Sequence, residues 1–346
     1  MRRYQPLLLI AFFLLVIIMS GSTYLSSYAG NSNEQNHNHV NVTVYTSLPI
    51  EQISLLAQEY EKTQQVRINI VPLSEQDLLS HLKIKTNEPK ADIIITSSKV
   101  LEQVKKSNLL LSHTSEQTDI IPERFKDDSN YWTGLWYDPI VFAGNQDFLK
   151  SIPKVPSSWN DLSQDNKYRI CLTDFLAAEA SANLLFTLVS VHGEAETLTF
   201  LKKIHPQIIQ YAKFLATPVR MVGMGEADIG IATQSETLRY INNNFPIKII
   251  YPEEGTAFVL TGIGLVAGTE QTDAAKQVID WLLQDSAQKV LVNNSFYFIP
   301  TNPESLIYKQ YATKNIKLLE TKELLTMEQK NLLLDKWIKT VRFATK

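Results

Sequence analysis

The sequence predicts an α/β protein of two doubly wound lobes, in which the chain leaves the first lobe, builds the second and returns to the first. Three observations predict this class. Short apolar strands alternate with amphipathic helices in two separate blocks, the pattern of parallel sheets covered by helices on both faces. A long extended run, Tyr131 to Asn145 (YWTGLWYDPIVFAGN), breaks the rhythm between the blocks, and a second such run, Leu260 to Ala267 (LTGIGLVA), follows the second block. The length of 346 residues fits two domains at roughly 100–200 residues each.

The elements follow in order. Val40 to Thr46 (VNVTVYT) alternates and reads as a strand. Ser47-Leu48-Pro49 then starts a helix, with serine as cap and proline near the first turn. Ile53, Leu56, Ala57 and Tyr60 fall on one helical face. Val66 to Val71 is a second strand, and Ser74 with Asp77 resembles a capping box ahead of Leu78, Leu79 and Leu82. Asp92 to Thr96 is apolar on both faces, hence a buried strand. Ser97-Ser98 caps the helix that carries Val100, Leu101 and Val104.

After the first crossing run, Ser157 to Leu162 opens the second block. Tyr168 to Leu172 is a strand, and Ala177 to His192 a helix stopped by Gly193. Thr217-Pro218 marks another helix start, with threonine as cap. Ala227 to Ala232 is a strand, Gln234 to Asn243 a helix and Ile247 to Tyr251 a strand. After the second run come a helix over Thr272 to Leu283 and further helical segments. These boundaries assign 40–137 and 258–346 to a discontinuous first lobe and 138–257 to the second.

The beginning of the chain reads as an address. Met1-Arg2-Arg3 is basic, Leu7 to Met19 is apolar, and small residues lead to Ser27-Tyr28-Ala29. That is the layout of a signal peptide cut after Ala29. The alternative is an uncleaved anchor. A thirteen-residue helix spans about 20 Å against a ~30 Å hydrocarbon core, although extension to Leu25 would suffice. Residues 1–29 are therefore a signal peptide or an N-terminal anchor, and either places the body outside the cytoplasmic membrane. Residues 30–39 (GNSNEQNHNH) form a flexible polar linker, whose His37 and His39 carry no expected role.

Composition excludes several functions. Hydrophobic residues make up 44% and charged residues 20%, a globular profile. The net charge of −3, without a basic block, argues against a nucleic-acid partner. One cysteine, Cys171, excludes an internal disulfide framework and a multi-cysteine metal site. In its apolar strand it is expected to be buried and inert. There is no Gly-x-Ser-x-Gly and no His-Glu-x-x-His, and His81, His113, His192 and His205 lack ligand-like spacing. Gly223-Met224-Gly225-Glu226 follows no strand and lacks the lysine of a phosphate loop. No catalytic residue, cofactor or metal is assigned, and the chain is not expected to be an enzyme.

Taken together, VTVYTSLP, YWTGLWYDPIVFAGN, PSSWNDL, GEADIGIA, TGIGLVAGTEQTDAAKQVIDWLLQDSAQKVL and FIPTNP, in that order and spacing, resemble one family. The chain resembles the extracellular solute-binding proteins of ABC importers, in the type II class that includes ferric-iron, phosphonate and thiamine binders. The resemblance covers about residues 40–303. It implies a type II periplasmic-binding-protein fold, two α/β lobes joined by two crossing strands, with a small-molecule ligand in the cleft. It also implies a membrane permease as partner, a monomer, and capture by hinge closure.

In such folds ligands sit beyond the carboxyl ends of strands, where helix N-termini present unpaired N–H groups and positive dipole ends. Ser47, Ser97, Ser98 and Thr217 stand at such ends. The resemblance adds Tyr137 on the crossing strand. Arg220, one turn into its helix, is suited to pair with a phosphate or carboxylate. Against the family pattern, the second-lobe helix begins Asp174-Phe175-Leu176-Ala177-Ala178-Glu179-Ala180-Ser181, with alanines and a carboxylate where hydroxyls are usual. Glu179 is thus suited to a cationic group or a metal. The stretch Ala232-Thr233-Gln234-Ser235-Glu236 lacks the tyrosine pair with which relatives hold ferric iron. The leading expectation is a small anionic, organic or phosphorus-containing solute. The alternatives are a ferric-iron or metal-chelate binder using Glu179 and Tyr137, and a sensor docking on a membrane receptor kinase.

Overall fold

The computed structural model describes residues 40–83, 90–164, 168–321 and 325–344. The segment read as signal peptide or anchor, the linker and its two histidines lie outside the described residues. Among the described residues no helix is long and apolar enough to cross a membrane.

The first block begins β1 (Asn41–Thr46), α1 (Ile50–Gln64), β2 (Arg67–Pro72), α2 (Glu75–Lys83), β3 (Ile93–Ser97) and α3 (Ser98–Lys106). The short β4 (Leu110–Leu111) and α4 (Glu116–Asp119) lead into β5 (Trp132–Asn145). The second block runs α5 (Gln146–Ser151), α6 (Trp159–Ser163), β6 (Ile170–Thr173), α7 (Glu179–His192), α8 (Glu194–Ile204) and β7 (Ile208–Ala212). It continues α9 (Ala216–Gly223), β8 (Ile229–Thr233), α10 (Gln234–Asn242) and β9 (Ile247–Ile250). The chain returns through β10 (Phe258–Val266), α11 (Thr272–Leu282), α12 (Asp285–Asn293), β11 (Ile299–Pro300), α13 (Leu306–Ala312) and α14 (Met327–Trp337). The α8–β7 pair was not read from the sequence.

The strands follow the order β2-β1-β3-β10-β5-β8-β6-β7. In the first lobe β1 lies parallel to β2 and β3, with β10 antiparallel between β3 and β5. In the second, β6 lies parallel to β7 and β8. One strand belongs to both. Up to Pro139, β5 pairs with β10, and from Ile140 it pairs with β8 and β9. The return leg enters β10 at Phe258, opposite Pro139, and β10 pairs only within the first sheet. Next to the return, Ile140 N–H donates to the Ala257 carbonyl at 2.9 Å. Gly134 is required by close approach: a Cβ there would stand 2.6 Å from the Phe125 carbonyl oxygen.

Each lobe has its own core. Val42, Ile93, Leu101, Trp136 and Ile263 belong to the first, and Phe142, Trp159, Leu172, Leu185 and Ile231 to the second. On the opposite face of the second sheet, Cys171 packs with Val219 and Val222 of α9. Burial raises its thiol pKa to about 12, so it is a packing residue. The sequence reading placed everything after residue 258 in the first lobe. The structure differs at the end of the chain. Leu333, Trp337 and Val341 insert into the second core, where Trp337 meets Phe175 at 4.8 Å and Tyr211 at 5.6 Å between ring centroids. A helix goes where its apolar stripe is covered, and this stripe fits the face left open by α7 and α8.

Candidate functional site

The carboxyl ends of β1, β3, β6, β7 and β8 carry α1, α3, α7, α9 and α10, and none of these helices is capped by the side chain of its own N-cap residue. By contrast, Ser115, Asn145, Ser158, Ser305 and Thr326 cap α4, α5, α6, α13 and α14. Ser74 caps α2 through the Asp77 amide. Apart from α10, where Asp138 of β5 accepts from the Ser235 N–H, the first-turn amides of these helices are left for other acceptors.

Where α3 faces α7 across the lobes, a cavity of about 310 Å³ opens. Its walls include Ser97 at the end of β3, Ser98, Lys99 and Glu102 from α3, Glu179, Asn183 and Thr187 from α7, and Phe258, Val259 and Leu260 from β10. Ser97 occupies the N-cap position of α3, but its hydroxyl donates to Glu75 Oε1 at 2.6 Å instead of accepting from its own helix. Lys99 Nζ donates across the cleft to Asn183 Oδ1, and Asn183 Nδ2 donates to the Phe258 carbonyl at 2.6 Å. Other charged walls are already matched. Glu102 accepts from Trp132 Nε1 at 2.7 Å, Arg124 pairs with Glu320 at 3.0 Å, and Lys126 with Glu123 at 3.4 Å.

The two remaining ionisable groups are shifted. Burial, with Lys330 nearby, lowers Lys99 to about 8. Glu179 keeps access to solvent through the cleft, yet crowding by both lobes and by the Glu75 carboxylate raises it to about 7. Each shift disfavours the charged form in a confined space.

The seven residues singled out from the sequence separate. Ser97, Ser98 and Glu179 meet at the cavity. Ser47 lies beside them, its hydroxyl 2.6 Å from that of Thr96. It is not a cap: α1 starts at Ile50 with Pro49 before it, and Thr46 takes the local role by accepting from Leu48 N–H. Tyr137 is not among the residues lining the cavity but packs against one of them, Phe258. It is buried, stacked on Phe125 at 5.0 Å and set edge-on to Phe258, and burial drives its phenol pKa up. Thr217 and Arg220 are not brought to this cavity. Helix α9 begins one residue before Thr217, whose N–H bonds to the Phe214 carbonyl. Arg220 is half exposed and lies 3.7 Å from Glu226.

Three residues that sequence reasoning passed over matter here. Lys99 had a signal: a lysine in the first turn of a helix opposes the dipole and calls for another partner. Asn183, a turn after Glu179 in an apolar helix, had a weaker one. Asp138 was a lone carboxylate in an apolar strand. Its Oδ1 accepts from Ser235 N–H at 3.0 Å and its Oδ2 from the Ser235 hydroxyl, so it fills the N-terminus of α10. Among the described residues no cluster of three or more His, Cys, Asp or Glu is arranged to hold a metal ion.

Replacing Tyr137 separates packing from contact. Tyr137→Phe should leave both stability and ligand affinity within about twofold, whereas Tyr137→Ala should cost about 3–5 kcal/mol of stability. Thermal unfolding alongside a binding titration reads both, and a large affinity loss in Tyr137→Phe would place the phenol in the site.

Two α/β lobes sharing one strand, with the uncapped starts of α3 and α7 on the cavity between them, define the class of two-lobed solute-binding proteins. A sequence model of the bacterial extracellular solute-binding protein family matches residues 88–324, and the chain belongs to that family. A Sinorhizobium fredii protein provisionally named an ABC transporter periplasmic-binding protein is 27% identical over 296 residues, covering 81% of this chain and 80% of that one. A Salmonella typhi periplasmic protein provisionally named as 2-aminoethylphosphonate-binding is 26% identical over 214 residues, covering 60% of this chain and 61% of its own. The periplasmic binding protein AfuA of Actinobacillus pleuropneumoniae, solved with fructose-6-phosphate, superposes with a TM-score of 0.69 at 23% identity, covering 88% of this chain and 99% of that one.

Proposed function

We propose that this chain is the extracytoplasmic solute-binding component of an ABC importer. It captures a small polar solute bearing a phosphate, phosphonate or similar anionic group, closes its lobes on it and hands it to a membrane permease. It acts as a monomer and performs no chemistry on its cargo. Residues 1–29 deliver it across the membrane, as a cleaved signal or as a tether.

The observation that carries this reading is the start of α3. Ser97, Ser98 and Lys99 stand in an uncapped first turn, on the wall of a cavity whose other side is α7 of the opposite lobe. Backbone amides, hydroxyls and an ammonium together make an anion site. Closure would strengthen each contact by excluding water. Ser47, Ser97 and Ser98 are the proposed ligand contacts on the first lobe and Glu179 on the second. Tyr137 supports the wall through Phe258. Thr217 and Arg220 take part only if closure carries α9 inward. The relatives named for an aminophosphonate and solved with a sugar phosphate support an anionic ligand.

The test is a thermal-shift panel on the purified body with inorganic phosphate, 2-aminoethylphosphonate, fructose-6-phosphate, thiamine and ferric citrate. A ligand at 100 times its dissociation constant adds about 2.7 kcal/mol. A shift with phosphate-bearing probes is expected. A shift with ferric citrate alone would favour the metal reading, in which Glu179 is the donor. A neighbouring receptor-kinase gene instead of a permease gene would favour the sensor.

A further inference from the structure

We infer that Lys99 is the residue that selects for negative charge in the ligand, and that Asn183 holds its ammonium across the cleft until a ligand takes it over. The inference rests on the anion-binding reading above and names the side chain responsible.

Lys99 is the second residue of α3 and lines the cavity. Among the described residues its ammonium meets no carboxylate within ion-pairing distance; its bonded partner is the neutral amide oxygen of Asn183. Arg124 and Lys126, the other cations on the cavity wall, already have carboxylates. A neutral amide supports an ammonium less well than an anion does, because charge-assisted hydrogen bonds with both partners ionised are the stronger kind. Lys99 is therefore the cation on this wall with the most to gain from an incoming anion.

Asn183 is placed to release it. It is buried, and its second amide end is fixed on the Phe258 carbonyl at the first residue of β10. One side chain of α7 thus touches both α3 and the return strand, so the Lys99–Asn183 contact is a bond between lobes. An anion arriving at the α3 first turn would take the ammonium and leave the Asn183 oxygen to water. Glu75, Glu102 and Glu179 face this point from α2, α3 and α7, Glu320 lines the same cavity but is paired with Arg124, and Lys330 faces it from α14. Glu102 is engaged by Trp132 and Glu75 by Ser97. Glu179 remains as the group that would repel an anion, and its raised pKa lessens that repulsion below about pH 7.

Titration calorimetry of the full body with inorganic phosphate, 2-aminoethylphosphonate and fructose-6-phosphate tests this. Lys99→Met should weaken whichever of these the unaltered protein binds by about 10- to 100-fold. Its unfolding midpoint should barely change, since Lys99 anchors no core. Asn183→Ala should leave affinity equal or tighter, because it frees the ammonium without removing it. Lys62→Ala, at an exposed lysine paired with Glu59 away from the cavity, should change nothing. If Lys99→Met binds as the parent does, the inference is wrong while the anion-binding reading stands. If Asn183→Ala loses as much as Lys99→Met, Asn183 is a ligand contact and its holding role is refuted. If the parent binds none of the three anions, the reading fails and the inference with it.

Discussion

Trp337→Ala lowers the stability of the second lobe by about 3–5 kcal/mol, the range for emptying a buried tryptophan site. Trp337 is fully buried and its ring lies against Phe175 and Tyr211, so the neighbours cannot close the gap without moving β6 or β7. The Arg342 guanidinium also stacks on Tyr211, at 4.1 Å from the ring centroid. Loss of the tryptophan therefore loosens the last turns of the chain as well. Scanning calorimetry should show a transition shifted to lower temperature, and removal of residues 325–346 should reproduce it. An unchanged midpoint would mean that the C-terminal helix is an appendage and not part of the lobe.

A second large effect concerns acid and base. Asp138 is buried on β5, one residue before Pro139, where the strand changes sheets. Burial raises its carboxyl to about 7, against the opposing hydrogen bonds from Ser235 and Thr233, and Glu236 adds to the rise. The folded protein then holds a proton that the unfolded chain releases near pH 4. Stability from this group is fully present below the unfolded value and is lost as pH rises through about 7. The swing is on the order of a few kcal/mol between pH 4 and 8. Asp138→Asn should flatten that slope in urea titrations between pH 5 and 8. A variant with the parent's slope would assign the dependence to other groups. The carboxylate also holds the Ser235 amide at the start of α10, so the variant should alter the joint between lobes more than either core.

Periodicity made much of the fold legible. Ile93 to Thr96 is apolar on both faces and is buried on both faces. Gly193 stops α7 with a φ of +87°, as its place after His192 implied. The run from Tyr131 to Asn145 became the strand that joins the lobes. Helix starts were less legible. Ser47 and Thr217 carry the right side chain for a cap, yet the chain begins each helix elsewhere, because proline geometry and the preceding turn fix the first helical residue. The site was legible in part. Ser97 and Ser98, read from their place at an element end, and Glu179, read from its departure from the family pattern, all line the cavity. Lys99 and Asn183 were not legible, because their meaning lies in each other, 84 positions apart.

The sequence by itself determined the class of fold, the two blocks, the chain's return and the burial of Cys171, because these follow from local periods and composition that neighbouring residues share. Only the tertiary structure decided which cations on the cavity wall meet a carboxylate among the described residues, that Tyr137 packs against Phe125 and Phe258, and that the last helix packs into the second core. Those outcomes depend on pairs of residues far apart in the chain. Burial and charge become specific only once packing has chosen which surfaces meet.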